Sequence, residues 1–175
     1  MPESRTVFIL LLLLVVAVCV TYTDVRYRRI PNGLVLTTLA CGISVNVFYG
    51  GLPGALQSVA GALLAFAMMF VLHMLGTTGA GDVKLFAAIG AAVGTSLVLP
   101  AFVGVLLAGM ALALFTMFRG GVARATAVNV LSFFYGLLPG GRVPRFSAPA
   151  DKRLGVPYGV AVAFGSLAAA WVYRA

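Results

Sequence analysis

The sequence predicts an all-α fold: a polytopic membrane helical bundle of six transmembrane helices, with both termini outside the cytoplasm. Three observations carry that expectation. Hydrophobic residues make up 62% of the 175-residue chain and charged residues only 9%, against roughly 25% charged in an ordinary soluble domain. Several apolar runs reach about 17 to 23 residues, enough at 1.5 Å per residue to cross a hydrocarbon layer about 30 Å thick. The twelve Lys and Arg gather in a few short stretches, as they do in loops that stay on the cytoplasmic side. Backbone groups in lipid must find their partners within the segment, so such spans are helical and a soluble fold is excluded. The net charge of +8 does not point to nucleic acid, because the basic residues do not line one helix with aromatics between them. The lipid bilayer is the partner that the composition implies.

The first helix is expected over about Val7 to Thr23. Its positive charges, Arg26, Arg28 and Arg29, follow it, whereas a cleaved signal peptide carries them in front. This bias puts the N-terminus outside and the loop Asp24 to Pro31 in the cytoplasm. A second helix starts at Asn32, after Pro31, and runs to about Tyr49; Gly50-Gly51-Leu52-Pro53-Gly54 is an uncharged turn. A third covers Ala55 to Leu75 and returns the chain to Gly76-Thr77-Thr78-Gly79-Ala80-Gly81-Asp82. From Asp82 to Phe118 the apolar stretch is about 55 Å long as a helix, too long for one crossing. The break is expected at Gly94-Thr95-Ser96, with Pro100 as the competing place. Between Arg119 and Arg153 stand six of the twelve basic residues, which makes 119–155 a cytoplasmic loop. Its apolar middle, 122–138, has arginines on both sides and reads as an interfacial helix. The last helix is expected from Val156 to Tyr173.

Only four acidic residues serve the whole chain. Two of them, Asp24 and Asp82, stand where apolar segments meet polar loops, and the orientation charges put both on the cytoplasmic face. An ionisable residue in such a place is costly unless it is paired or wetted, and so marks function. Two adjacent carboxylates share one proton, because like charges a few Å apart do not both ionise cheaply. Such a pair activates water: one ionised carboxylate takes its proton while the protonated partner polarises the carbonyl and then protonates the leaving nitrogen. No metal or other cofactor is needed. Cys19 and Cys41 lie in apolar segments without a CxxC spacing, so neither a zinc site nor a disulfide is indicated. Gly79 and Gly81 permit positive φ and close approach by another chain.

Asp24 with Arg28-Arg29-Ile30-Pro31-Asn32 after it, then Gly79-Ala80-Gly81-Asp82-Val83-Lys84-Leu85, then Gly155-Val156-Pro157-Tyr158-Gly159-Val160-Ala161, together resemble the type IV prepilin peptidase family, the GxGD intramembrane aspartyl proteases. The resemblance implies a single membrane-embedded aspartyl peptidase domain over 1–175. It would cleave the leader of type IV prepilins or pseudopilins at the cytoplasmic face of the bacterial inner membrane. It assigns catalysis to Asp24 and Asp82; Gly79, Gly81, Lys84, Asn32, Pro157 and Tyr158 would bind substrate or shape the site. Bifunctional members carry paired CxxC motifs in an N-terminal domain and methylate the new pilin N-terminus. Without such cysteines this chain is similar to the short peptidase of tight-adherence (Flp) pili, and N-methylation is not expected. Archaeal preflagellin peptidases are similar too.

Blander readings stand beside these. Asp24 would serve as a helix cap or pair with Arg26, Arg28 or Arg29, Lys84 would snorkel to the interface, and His73 would be a packing residue at a helix end. A small ion or proton transporter is the rival of another class, with Asp24 and Asp82 binding the ion; a structural protein of a pilus base is a third.

Overall fold

The computed structural model describes residues 3–119 and 158–173. The chain divides into two compact units, one of residues 1–109 and 157–175, the other of residues 110–156. Of the second unit the described part is 110–119, the end of a helix on which Met110, Leu114, Phe115 and Phe118 are exposed. The expected cytoplasmic loop beyond Arg119, the interfacial helix over 122–138, and Pro157 lie outside the described residues.

The described residues form five helices and no strand. The first, α1 (Glu3–Tyr27), is longer at both ends than its apolar run. Near its end Thr21 and Thr23 donate their hydroxyls back to Ala17 O (2.6 Å) and Cys19 O (3.0 Å), which satisfies these polar groups within the helix. It closes at Arg28, whose N–H donates to Asp24 O (3.0 Å) and whose φ of 52° is the left-handed turn common just past a helix end.

The next helix, α2 (Asn32–Met74), starts after Pro31, which sits at φ −63° and ψ 132°. Its 43 residues are broken at Gly51, where φ 55° and ψ −140° are open to glycine alone. The break folds the segment back on itself: Asn46 Nδ2 donates to Ser58 Oγ at 3.1 Å, although the two would be about 18 Å apart along a straight helix. The two arms, 32–50 and 52–74, are therefore the second and third helices of the sequence reading, joined without an irregular loop. Pro53 lies within the first turn after the break, where a missing N–H costs least.

Two further helices follow, α3 (Ala80–Val93) and α4 (Thr95–Arg119). They are divided at Gly94 (φ 75°), as the Gly94-Thr95-Ser96 reading expects. Pro100 stays inside α4. The chain ends in α5 (Tyr158–Val172).

Burial separates these helices into two kinds. α3 is covered almost all round, with Asp82, Val83, Leu85, Phe86 and 88–93 buried. α1, α2 and α4 keep exposed apolar faces, among them Leu11, Leu63, Phe70 and Leu107. Among the described residues these three are long and apolar enough to cross a bilayer, while α5 is a shorter apolar helix. α3, about 21 Å long, is the most deeply buried helix and packs chiefly against α2 and α5. Lipid tails are as apolar as leucine, so such packing depends on backbones approaching closely through small residues. A Cβ on Gly90 would strike Ala65 Cβ and the Gly61 carbonyl, and one on Gly165 would strike the Gly104 backbone.

Candidate active site

The last turn of α1 and the first turn of α3 bring Asp24 and Asp82 to the same end of the bundle. Both side chains are buried, each 8% exposed. They line one cavity of about 340 Å³, together with Arg28, Arg29, Ile30, Asn32, Gly79, Gly81 and Lys84. Six of the expected site residues thus come together: both aspartates, Gly79, Gly81, Lys84 and Asn32. A larger groove of about 650 Å³ between α1 and α5 is apolar, lined by side chains such as Leu11, Leu14 and Phe164. It holds no ionisable group and offers no acid or base.

Each carboxylate is fixed by a backbone donor. Asp82 is the third residue of α3, and its Oδ2 reaches back to accept from Gly79 N–H (3.0 Å) while its own N–H donates to Gly79 O (3.1 Å). This is the carboxylate half of a capping box, and it takes up one of the four donors that a helix start leaves unpaired. Asp24 Oδ2 accepts from Gly159 N–H at the start of α5 (3.0 Å), so the positive end of that helix faces the carboxylate. The approach is possible because residue 159 is glycine: a Cβ there would lie 2.9 Å from Asp24 Oδ2, 3.0 Å from Ile30 Cδ1 and 3.1 Å from Val20 Cγ1. Gly79 is similarly placed, its Cβ position 3.1 Å from Asp82 Oδ2.

The electrostatics of Asp82, which lies outside the three candidate spans, follow from this setting. Burial pushes its carboxyl up to about 6; the Gly79 N–H works against that shift, and the charge of Asp24 adds to it. Arg28, Arg29 and Lys84 place three cations around the same cavity.

The structure corrects the sequence reading of the glycines. Neither Gly79 (φ −80°) nor Gly81 has positive φ. Gly79 serves close approach to a carboxylate, and a Cβ on Gly81 would meet Ile30 at an ordinary 3.6 Å. Tyr158 does not line the cavity; a Cβ on Gly109 would lie 3.2 Å from its hydroxyl. Three contributors escaped the sequence reading. Gly159 lay inside a quoted motif whose Pro157-Tyr158 pair drew the attention, Ile30 packs between Gly81 and Gly159, and His73 holds the loop before Asp82 through Nδ1 and Thr78 O (2.7 Å). A helix start predicted beside Tyr158 signals the first, since free N–H groups there attract an anion. Among the described residues no group of three His, Cys, Asp or Glu is placed to hold a metal ion.

A sequence model of the type IV leader peptidase family matches residues 9–117, which include both aspartates. The chain belongs to the type IV leader peptidase family. A similar relative is the prepilin leader peptidase/N-methyltransferase of Bacillus subtilis (strain 168), 29% identical over 137 residues, covering 71% of this chain. The chain spans 53% of that relative's length. No solved structure matches. Family membership thus rests on a stretch that carries α1 to α4, while Gly159, the donor to Asp24, lies beyond it.

Proposed function

We propose that this protein is a membrane aspartyl endopeptidase that removes the leader of type IV prepilins or pseudopilins, with Asp24 and Asp82 as its acid and base. The observation that carries the reading is the meeting of these two buried carboxylates in one cavity, in a chain of the type IV leader peptidase family. In this reading Asp82 holds the shared proton. Asp24, ionised, takes a proton from water as the water oxygen attacks the scissile carbonyl carbon; Asp82 donates its proton to the carbonyl oxygen. Collapse of the tetrahedral intermediate breaks the C–N bond: the proton held by Asp24 passes to the leaving nitrogen, and one hydroxyl of the intermediate returns its proton to Asp82 as the new carboxyl group forms. No covalent enzyme intermediate arises.

The six helical segments, counting the two arms of α2, are read as six crossings with both termini outside and the cavity toward the cytoplasm. Arg26, Arg28 and Arg29 beside Asp24 support that orientation. A leader entering from the cytoplasm then meets the cavity at the membrane surface, with Gly79, Gly81, Asn32 and Lys84 along its path. Pro157 and Tyr158 would shape the site from the start of α5. The proposed setting is the bacterial inner membrane, and the substrate belongs to a pilus or secretion system.

The test is reconstitution of the purified protein in proteoliposomes with a cognate prepilin, and mass spectrometry of the products. A single cut that frees the leader is expected. Proton or ion flux without cleavage would overturn the proposal in favour of a transporter.

A further inference from the structure

At the end of the bundle opposite the aspartates stands a polar cluster that the proposed chemistry does not use. Arg5, near the start of α1, donates from Nε (3.0 Å) and Nη2 (2.7 Å) to Asn46 Oδ1. Asn46 Nδ2 donates onward to Ala91 O (2.7 Å) and Ala92 O (3.1 Å), at the C-terminal end of α3, and to Ser58 Oγ (3.1 Å). Ser58 donates its own hydroxyl to Ala91 O. Asn46 and Ser58 are buried to 1% and 0% exposure. The last carbonyls of a helix find no partner within it, and here the two arms of α2 supply one.

The two faces of the Asn46 amide do different things. Its oxygen takes the guanidinium fork from α1, and its nitrogen grips α3, so one side chain links those two helices. They otherwise touch each other directly over only a few residues. Yet they are the helices that carry Asp24 and Asp82 at their other ends. Arg5 lies about 28 Å from Asp24 along α1, so a slip or tilt at the Arg5 end is passed by a stiff helix to the carboxylate.

We propose that Arg5 and Asn46 are positioning residues: by tying α1 to the C-terminal carbonyls of α3, they set the separation of Asp24 and Asp82 at the opposite end of the same two helices. The inference rests on reading those carboxylates as the catalytic pair.

Two measurements test it on the full chain in proteoliposomes. One is the kinetics of prepilin cleavage. The other is the distance between nitroxide labels at Tyr22 on α1 and Ala80 on α3, by pulsed electron paramagnetic resonance, with Cys19 and Cys41 replaced by serine. Arg5→Met and Asn46→Leu should each lower kcat by about tenfold or more with KM within about twofold, and should shift or broaden the distance distribution. Arg5→Lys, which keeps a charged donor for Asn46, should retain a narrow distribution and most of kcat. Asn46→Asp keeps the acceptor for Arg5 but sets oxygen against the α3 carbonyls, and replaces Asn46→Leu should that variant fail to insert. Unchanged distances and unchanged kcat in inserted Arg5→Met and Asn46 variants would overturn the proposal, as would loss of kcat with the distance unmoved. Should the wild-type protein cleave no prepilin, the peptidase reading fails, and the distances still decide whether the bridge sets the register of α1 on α3.

Discussion

Asp24 and Asp82 are both buried, but their supports differ. Asp82 is held by the loop of its own helix, through Gly79, whereas Asp24 depends on a donor from residue 159, at the far end of the chain. The carboxyl of Asp82, raised to about 6, gives the pH dependence a sign. In the proposed mechanism the pair works with one proton, so cleavage should fall as pH rises through the Asp82 midpoint. The alkaline limb of kcat/KM, which reports the free enzyme, is expected near pH 6; that of kcat should lie higher, because bound peptide expels water from the cavity. Stability has its own sign. A carboxyl raised above its unfolded value of 3.8 favours the fold most at low pH and loses that favour as pH rises through about 6, so at neutral pH the charge costs stability. Asp82→Asn should therefore melt no lower than wild type at pH 7.5, by thermal denaturation in detergent, even with no activity. Both aspartates were legible in the sequence because acids are rare in so apolar a chain. Gly159 was not, since a glycine needed for close approach is visible only once α1 and α5 are packed together.

Helices α1, α3 and α5 meet at the site through their ends, and their fit is tight where glycines stand. Gly159→Ala would put a methyl group 2.9 Å from Asp24 Oδ2. The atom in the way is the mobile end of a side chain, so the fold should survive with melting changed by a few degrees. Prepilin cleavage should fall by about tenfold or more, because catalysis depends on that oxygen's placement to within about half an ångström. Gly90→Val differs in kind: it would drive α3 off the 61–65 stretch of α2, and loss of inserted, folded protein is the expected outcome in a membrane fractionation. The element boundaries show which sequence signals are sound. Gly51 and Gly94 mark real breaks because both hold positive φ, a local property that a glycine beside a predicted turn announces. Pro100 marks none, since a proline within the first two turns of α4 gives up a single hydrogen bond. The extension of α1 to Tyr27 was illegible from hydropathy, because the helix runs on through the polar residues Thr21, Thr23, Asp24 and Arg26 after its apolar run ends.

In the unit of residues 1–109 and 157–175, α3 is the most deeply buried helix, and its residues are small and apolar where α2 crosses them. Composition announced the all-helical membrane class, since 62% hydrophobic residues leave no polar surface for a soluble fold. The burial of α3 was less visible: its hydropathy matches that of lipid-facing helices, and only packing distinguishes an apolar residue against protein from one against lipid. The Arg5–Asn46 bridge was likewise hidden, because neither hydropathy nor spacing pairs two residues 41 positions apart. Orientation is the proposal at this scale, and cysteines introduced one at a time test it. Thr77→Cys, exposed beside the site, should react with a membrane-impermeant maleimide only after the cytoplasmic side is opened, and Ser4→Cys should react from outside in intact cells. The central claim is that two carboxylates from distant helices hydrolyse one peptide bond together. Its most direct measurement is prepilin processing by Asp24→Asn and Asp82→Asn, each inserted at wild-type level: loss of leader removal by both is expected, and normal processing by either would contradict it.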